Sequence, residues 1–184
     1  MHALSSPDSK TWPTLYPATA NPSLFISALG TTRGQAGSFA AQREIDYDLN
    51  LALADKAKAA GTKTYVLISS GGANSGSMLG YPKMKGELED AVKALGFERT
   101  VILRPGLIVG TREDSRPPEA AFRKLANLMG GLSGNRLKDF WAQDAEVIAR
   151  AAVSAGLQAP EREEKVWMVG QADIVKLGRT EWKD

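Results

Sequence analysis

Thr64-Tyr65-Val66-Leu67-Ile68-Ser69-Ser70-Gly71-Gly72, followed downstream by Tyr81-Pro82-Lys83-Met84-Lys85-Gly86-Glu87, decides how this chain is read. The first stretch is a continuous apolar run with β-branched and aromatic members that ends in serine and glycine. That is the pattern of a strand buried on both faces and stopping at a loop. The second opens a helix over 82–95, with Met84, Leu88, Ala91, Val92 and Leu95 on its buried side and Gly96 as its stop. Proline is tolerated at its first position because that N–H would be unpaired anyway. Strand, loop and helix in this order form the repeating unit of a parallel sheet.

The same alternation extends both ways. Apolar runs at 24–29, 100–109 and 165–169 read as further buried strands, and segments 39–60, 118–129 and 144–155 as helices. Segment 39–60 is ambiguous at its centre, where Ile45, Tyr47, Leu49, Leu51 and Leu53 alternate as in a strand. The helical recurrence of Ile45, Leu49, Leu53 and Ala57, the alanine-rich continuation and the stop at Gly61 decide for helix. Residues 1–23, rich in Pro, Ser and Thr, read as an irregular lead-in, with His2-Ala3-Leu4-Ser5 at most a strand remnant. Gly34-Gln35-Ala36-Gly37 and 130–135 read as loops. The fold class is therefore α/β, a parallel sheet with helices on both faces and ligands beyond the carboxyl ends of the strands.

Composition narrows the chemistry. Among 184 residues there is no cysteine and a single histidine, which removes disulfides, thiolate metal sites and histidine-based triads; no metal is expected. The 23 basic and 21 acidic residues are interspersed, leaving a formal net charge of +2 and no footprint for nucleic acid. No window approaches a membrane span, and no signal peptide, amphipathic anchor or lipidation motif is visible, so any membrane association is peripheral. Tyr81 and Lys85 remain as the pair with chemical promise. At i and i+4 they share a helix face, and an ammonium beside a phenol is expected to draw its titration downward, toward the range useful for proton transfer. Taken alone, Tyr81 reads more readily as a boundary ring with its hydroxyl in water.

Leu29-Gly30-Thr31-Thr32-Arg33, Ser69-Ser70-Gly71-Gly72, Tyr81 to Lys85 and Arg104-Pro105-Gly106 occur together in the order and spacing of a short-chain dehydrogenase/reductase. With Ala73-Asn74, Gly86-Glu87 and Arg112-Glu113-Asp114-Ser115-Arg116-Pro117, the chain from Phe25 onward resembles one atypical branch. That branch contains the fungal mitochondrial outer-membrane proteins and the animal Tat-interacting oxidoreductase. The resemblance implies a Rossmann-like domain over 24–184 and hydride exchange between a nicotinamide, NADP(H) in preference to NAD(H), and a small carbonyl or alcohol. It implies Tyr81 as general acid/base, Lys85 as the residue that holds the ribose and tunes the phenol, and a strand-end serine that polarises the substrate oxygen, Ser70 being preferred to Ser69. Cofactor contacts fall on Leu29, Gly30, Tyr81, Lys85, Ile108 and Arg116. For Arg116 a solvated surface position and a phosphate contact stand equal. By resemblance the protein sits on the cytosolic face of the mitochondrial outer membrane.

One element of that family is missing from the sequence. No G-x-x-G-x-x-G precedes the strand at 24–29, so the fold is expected to be N-terminally incomplete. The donors that recognise pyrophosphate would be lost, and an unpaired edge at 24–29 would invite a protein partner or a second copy. Two functional readings follow, a reductase impaired by the shortening and a non-catalytic interaction protein that keeps the fold.

Overall fold

The structure, a computed structural model, describes residues 4–17, 22–109 and 142–183. It is a Rossmann-like α/β fold. β1 (Leu24–Ser27), β2 (Thr64–Ile68), β3 (Arg99–Leu103) and β6 (Val166–Val169) form a parallel sheet in that order. Ile26 sits opposite Val66, Val66 opposite Val101, and Val101 opposite Trp167. Because successive side chains of a strand point to opposite faces, β2 serves two cores. Tyr65 and Leu67 join Ala54, Ala57, Leu88, Val92 and Ile102 on one side; Val66 joins Val101, Leu103, Ala151, Ala152 and Ala155 on the other. Phe25, Tyr65 and Phe97 stack in series, with centroids 5.5 and 4.9 Å apart.

Two helical elements cover the first face. One runs through 39–59 as Phe39–Arg43, a π-helical stretch Glu44–Leu49, and Asn50–Ala59. The other is α4, Gly80–Ala94. Gly61 and Gly96 end them with positive φ, 84° and 64°, which a side chain would disfavour. The second face is covered by α5, Ala145–Gln158, and by Gln171–Val175 with its π-helical continuation Lys176–Thr180. Small residues let α5 approach the sheet closely, and a Cβ at Gly156 would meet Leu24 Cδ1 at 2.9 Å.

Several sequence expectations are corrected. The strand expected over 100–109 breaks at Arg104-Pro105. β3 stays in the main sheet, whereas β4 (Leu107–Val109) pairs with β5 (Ala142–Asp144) in a separate two-stranded sheet. Proline has no N–H to give a ladder, and the Gly106 N–H is taken instead by the buried Gln143 side chain at 2.7 Å. α4 begins two residues earlier than expected, at Gly80, so Pro82 lies inside the first turn, where N–H groups have no intrahelical partner in any case. The Gly34 to Gly37 segment holds a single helical turn, Arg33–Ala36, capped by the Thr32 side chain. The lead-in carries a 3₁₀ turn, Ser9–Thr11, and a short helix, Trp12–Leu15. The helix expected at 118–129, the loop at 130–135 and the residues Arg112 and Arg116 lie outside the described residues.

Candidate functional site

The carboxyl ends of β1 and β2 and the first turn of α4 converge on one corner of the sheet. Tyr81 is 43% exposed and lines a cavity of about 620 Å³ with Thr31, Thr32, Arg33, Phe39, Gln42 and Gly80. A Cβ at Gly80 would press on the Phe39 ring at 3.0 Å, so the aromatic wall of the cavity rests directly on the helix start. Lys85 follows one turn later and is only 3% exposed. It makes no hydrogen bond or ion pair with the described residues. The Ser70 hydroxyl interacts with the phenol. Ser69 is turned the other way, donating to Glu89 Oε1 at 2.5 Å.

The electrostatics differ from the expectation that Lys85 would draw the phenol down. Burial pushes the Tyr81 titration above its ordinary value, the Asp46 carboxylate pushes it further, and Ser70 only partly opposes them. Burial likewise lowers Lys85, while Asp46 and Glu89 favour its charged form. The phenol is thus held in its protonated, donor form by its surroundings.

Asp46 was not among the residues singled out from the sequence. It belongs to a buried polar stripe, Gln42, Asp46 and Asn50, laid along the 39–59 helix at intervals of four. All three hold the loop that leaves β1. Gln42 Nε2 donates to the Thr31 carbonyl at 3.1 Å, Thr31 N–H donates to Asp46 Oδ2 at 2.9 Å, and Asn50 Nδ2 donates to the Leu29 carbonyl at 3.1 Å. Asn50 in turn accepts from Ser27 Oγ at 2.6 Å. Gly30 lies between these anchors, and a Cβ there would come within 3.0 Å of Asp46 Oδ1. The helix thus clamps Leu29 and Gly30 next to Thr31, which lines the cavity; Leu29, Gly30, Ser70 and Lys85 are not themselves among its lining residues. The polar spacing was visible in the sequence, but the apolar recurrence beside it masked it.

Behind the pair, Glu89 is 1% exposed and accepts from Arg104 Nε at 3.0 Å and Nη2 at 2.5 Å. This ion pair borders a smaller polar cleft of about 340 Å³ with Asn74, Ser75, Gly86 and Asp90. Ile108 stands exposed on β4 and is not among the residues lining the cavity beside Tyr81. Among the described residues no cluster of three or more His, Cys, Asp or Glu side chains could hold a metal ion.

Comparison with known proteins agrees with this geometry at the level of family and fold. The HIM1 family profile matches residues 8–130. The mitochondrial protein fmp52 of Aspergillus fumigatus is 56% identical over 179 residues, covering 94% of this chain and 76% of that protein. The mitochondrial fmp-52 of Neurospora crassa is 46% identical over 185 residues, covering 96% and 76%. Among solved structures, UDP-glucose 4-epimerase of Thermotoga maritima with UDP-glucose superposes with a TM-score of 0.57 at 14% identity, over 96% of this chain and 67% of its own. RMD of Pseudomonas aeruginosa complexed with NADPH gives 0.56 at 20%, over 88% and 63%. MoeE5 with UDP-glucose and NAD gives 0.53 at 17%, over 86% and 62%. The chain thus spans less than two thirds of the last two proteins.

Proposed function

We propose that this chain, which belongs to the HIM1 family, is an NAD(P)-dependent oxidoreductase of short-chain dehydrogenase/reductase type acting on a small carbonyl or alcohol. The observation that carries the reading is Lys85, an ammonium buried to 3% exposure with no hydrogen-bond or ion-pair partner among the described residues, one turn below a phenol that opens on a cavity. The Asp46 and Glu89 carboxylates favour its charge but accept no hydrogen bond from it, and buried N–H donors left unmet are costly, so the group is expected to meet a polar ligand. The hydroxyls of a nicotinamide ribose suit it as acceptors. Gly30, lacking a side chain, lets the loop lie close against Asp46 beside the cavity. The cavity volume falls in the range of small-molecule sites.

The nicotinamide, when bound, supplies or accepts the hydride. Tyr81 gives the proton to the substrate oxygen in reduction and takes it back in oxidation, and its raised titration suits the donor role. Ser70, beside the phenol, donates to the same oxygen and fixes the carbonyl against it. Lys85 would hold the ribose hydroxyls of the bound nucleotide one turn below the phenol. Neighbours of this fold are solved with NAD and with NADPH, so the family-based preference for the phosphorylated form is itself a proposal.

Titration of the purified chain with NADPH and with NADH, followed by tryptophan fluorescence and calorimetry, tests the reading. Binding of at least one dinucleotide is expected. A Tyr81→Phe variant is expected to keep that binding and to lose turnover in a carbonyl panel by at least about a hundredfold. Absence of binding to both overturns the proposal; binding without turnover in either protein favours a dinucleotide-sensing interaction protein. The relatives are named mitochondrial, and no helix among the described residues is long and apolar enough to cross a membrane. Peripheral association with the cytosolic face of the outer membrane is part of the proposal, and protease shaving of intact mitochondria tests it.

A further inference from the structure

We infer that Asp46 is a positioning residue that ties the loop Leu29 to Thr31 to the Tyr81 and Lys85 pair, so that one buried carboxylate sets both the backbone that borders the cofactor and the groups that move the proton. The inference rests on the oxidoreductase reading for its catalytic meaning, though not for its test. Asp46 is 2% exposed, and both its oxygens are placed by the loop: Oδ2 accepts the Thr31 N–H at 2.9 Å, and Oδ1 fills the space beside Gly30. The Glu44–Leu49 stretch packs against α4, the Arg43–Glu87 ion pair bridges the two elements, and Thr31 and Gln42 line one cavity with Tyr81; from that position the carboxylate opposes the Tyr81 phenolate and favours the Lys85 ammonium. Its neighbours on the 39–59 helix, Gln42 and Asn50, clamp the rest of the loop through the Thr31 and Leu29 carbonyls. Asp46 lies in the π-helical stretch Glu44–Leu49, whose wider turn brings residues four apart close to one line. Three polar side chains can therefore face one loop.

Of the other charges around it, Arg43, Glu87 and Glu89 are already committed, whereas Arg33 makes no ion pair with the described residues. Arg43, on the same helix, pairs with Glu87 of α4 at 2.6 Å. Glu89 of α4 is held by Arg104 from the end of β3 and by Ser69. Arg33, on the loop, lines the cavity. Lys85 and Tyr81 are left as the titratable groups on which the Asp46 charge acts. A carboxylate there stabilises the ammonium and opposes the phenolate, which keeps a protonated phenol over a charged lysine.

The test needs no cofactor and no turnover. Tyrosine labelled at Cζ is titrated by NMR, with Tyr81→Phe assigning the signal among the four tyrosines, Tyr16, Tyr47, Tyr65 and Tyr81. In Asp46→Asn the amide oxygen can still accept from Thr31, so the Tyr81 midpoint is expected to move to lower pH while Thr31 amide exchange stays within about twofold of wild type. In Asp46→Ala the midpoint moves the same way, and Thr31 exchange accelerates roughly tenfold, the loss of one charge-assisted hydrogen bond. A Tyr81 midpoint unmoved by Asp46→Asn overturns the inference. If both variants fail to fold, Gly30→Ala displaces Oδ1 with the carboxylate retained; a shifted Tyr81 midpoint is expected, and an unmoved one overturns the coupling. Failure of the oxidoreductase reading shows separately, as wild-type protein that binds neither dinucleotide.

Discussion

Replacing Arg104 by methionine is expected to cost more stability than replacing Glu89 by glutamine, although both changes break the same ion pair. The asymmetry follows from exposure. The Glu89 side chain is 1% exposed and the Arg104 side chain 35%. Without Arg104, Glu89 loses the two guanidinium bonds, at 3.0 and 2.5 Å, and among the described residues keeps the Ser69 hydroxyl as its hydrogen-bond donor. Stranding a buried charge in this way costs about 3–5 kcal/mol. Without the Glu89 charge, Arg104 turns to water and a glutamine oxygen still accepts from Ser69 or Arg104; after discounting for solvent screening the loss is about 1–2 kcal/mol. At roughly 2–4 °C per kcal/mol for a chain of this size, the melting temperature should fall by about 10 °C in the first variant and by about 5 °C or less in the second. Thermal unfolding by far-UV circular dichroism at neutral pH, repeated as urea titrations, measures both. The double variant should be no worse than Arg104→Met alone, since the charge that made that change costly is gone. Equal losses, or a larger loss from Glu89→Gln, would refute the assignment of Glu89 as the desolvated partner.

Two further outcomes follow from the site. Lys85→Met, close in volume, is expected to raise the melting temperature by a few degrees at neutral pH, about 1 kcal/mol, while abolishing dinucleotide binding. Burial holds the folded-state Lys85 below its ordinary 10.5 even with Asp46 and Glu89 nearby. The penalty for its charge is therefore fully present below the folded value and disappears as pH rises through it toward the unfolded one. The advantage of methionine should fade with it, and a gain that grows in alkali would contradict the argument. Gly86→Ala should lower the urea midpoint even though alanine is the better helix former by about 1 kcal/mol. A Cβ there would lie 2.1 Å from Ser75 N and 2.4 Å from the Asn74 carbonyl carbon, and backbone at that distance must move. A net loss of about 2 kcal/mol is expected, and a stabilised variant would show that the 74–75 loop yields freely.

Much of the fold was legible because its two central strands, β2 and β3, are buried on both faces, although β1 is only partly covered and β6 leaves Val166 and Met168 exposed. β2 and the helix ending at Gly96 needed only hydrophobic runs, helical spacing and a glycine stop. What was misread shares one cause. The run 100–109 is apolar on both sides of Arg104-Pro105-Gly106, so periodicity alone did not show that the ladder ends there and that the chain enters a second sheet; the proline was the available signal. β5 is three residues long and polar at Gln143 and Asp144, and its partner strand, not its composition, makes it a strand. Likewise the short helix Trp12–Leu15 packs within a segment whose prolines suggested only irregular chain.

The candidate site divides along a different line. Tyr81, Lys85 and Ser70 could be found because their spacing in one loop and helix is itself the signal. Asp46 could not, because a search for a helix's buried face looks for apolar residues, and Gln42, Asp46 and Asn50 are polar and buried together. Their burial has a backbone cause. β1 stops at Ser27, and beyond it the N–H and C=O groups of residues 29–31 have no strand to pair with; left unpaired under the helix they would each be costly. The helix replaces the missing strand with side-chain donors and acceptors, then returns to Ala54 and Ala57 where β1 and β2 again lie beneath it. A polar stripe that gives way to an apolar one along a single helix face thus marks where a parallel sheet ends. Beyond the ends of such strands is also where ligands bind, so the residues that rescue the loop backbone stand next to the chemistry for a structural reason. Asp46 acquires its influence on Tyr81 and Lys85 from that position.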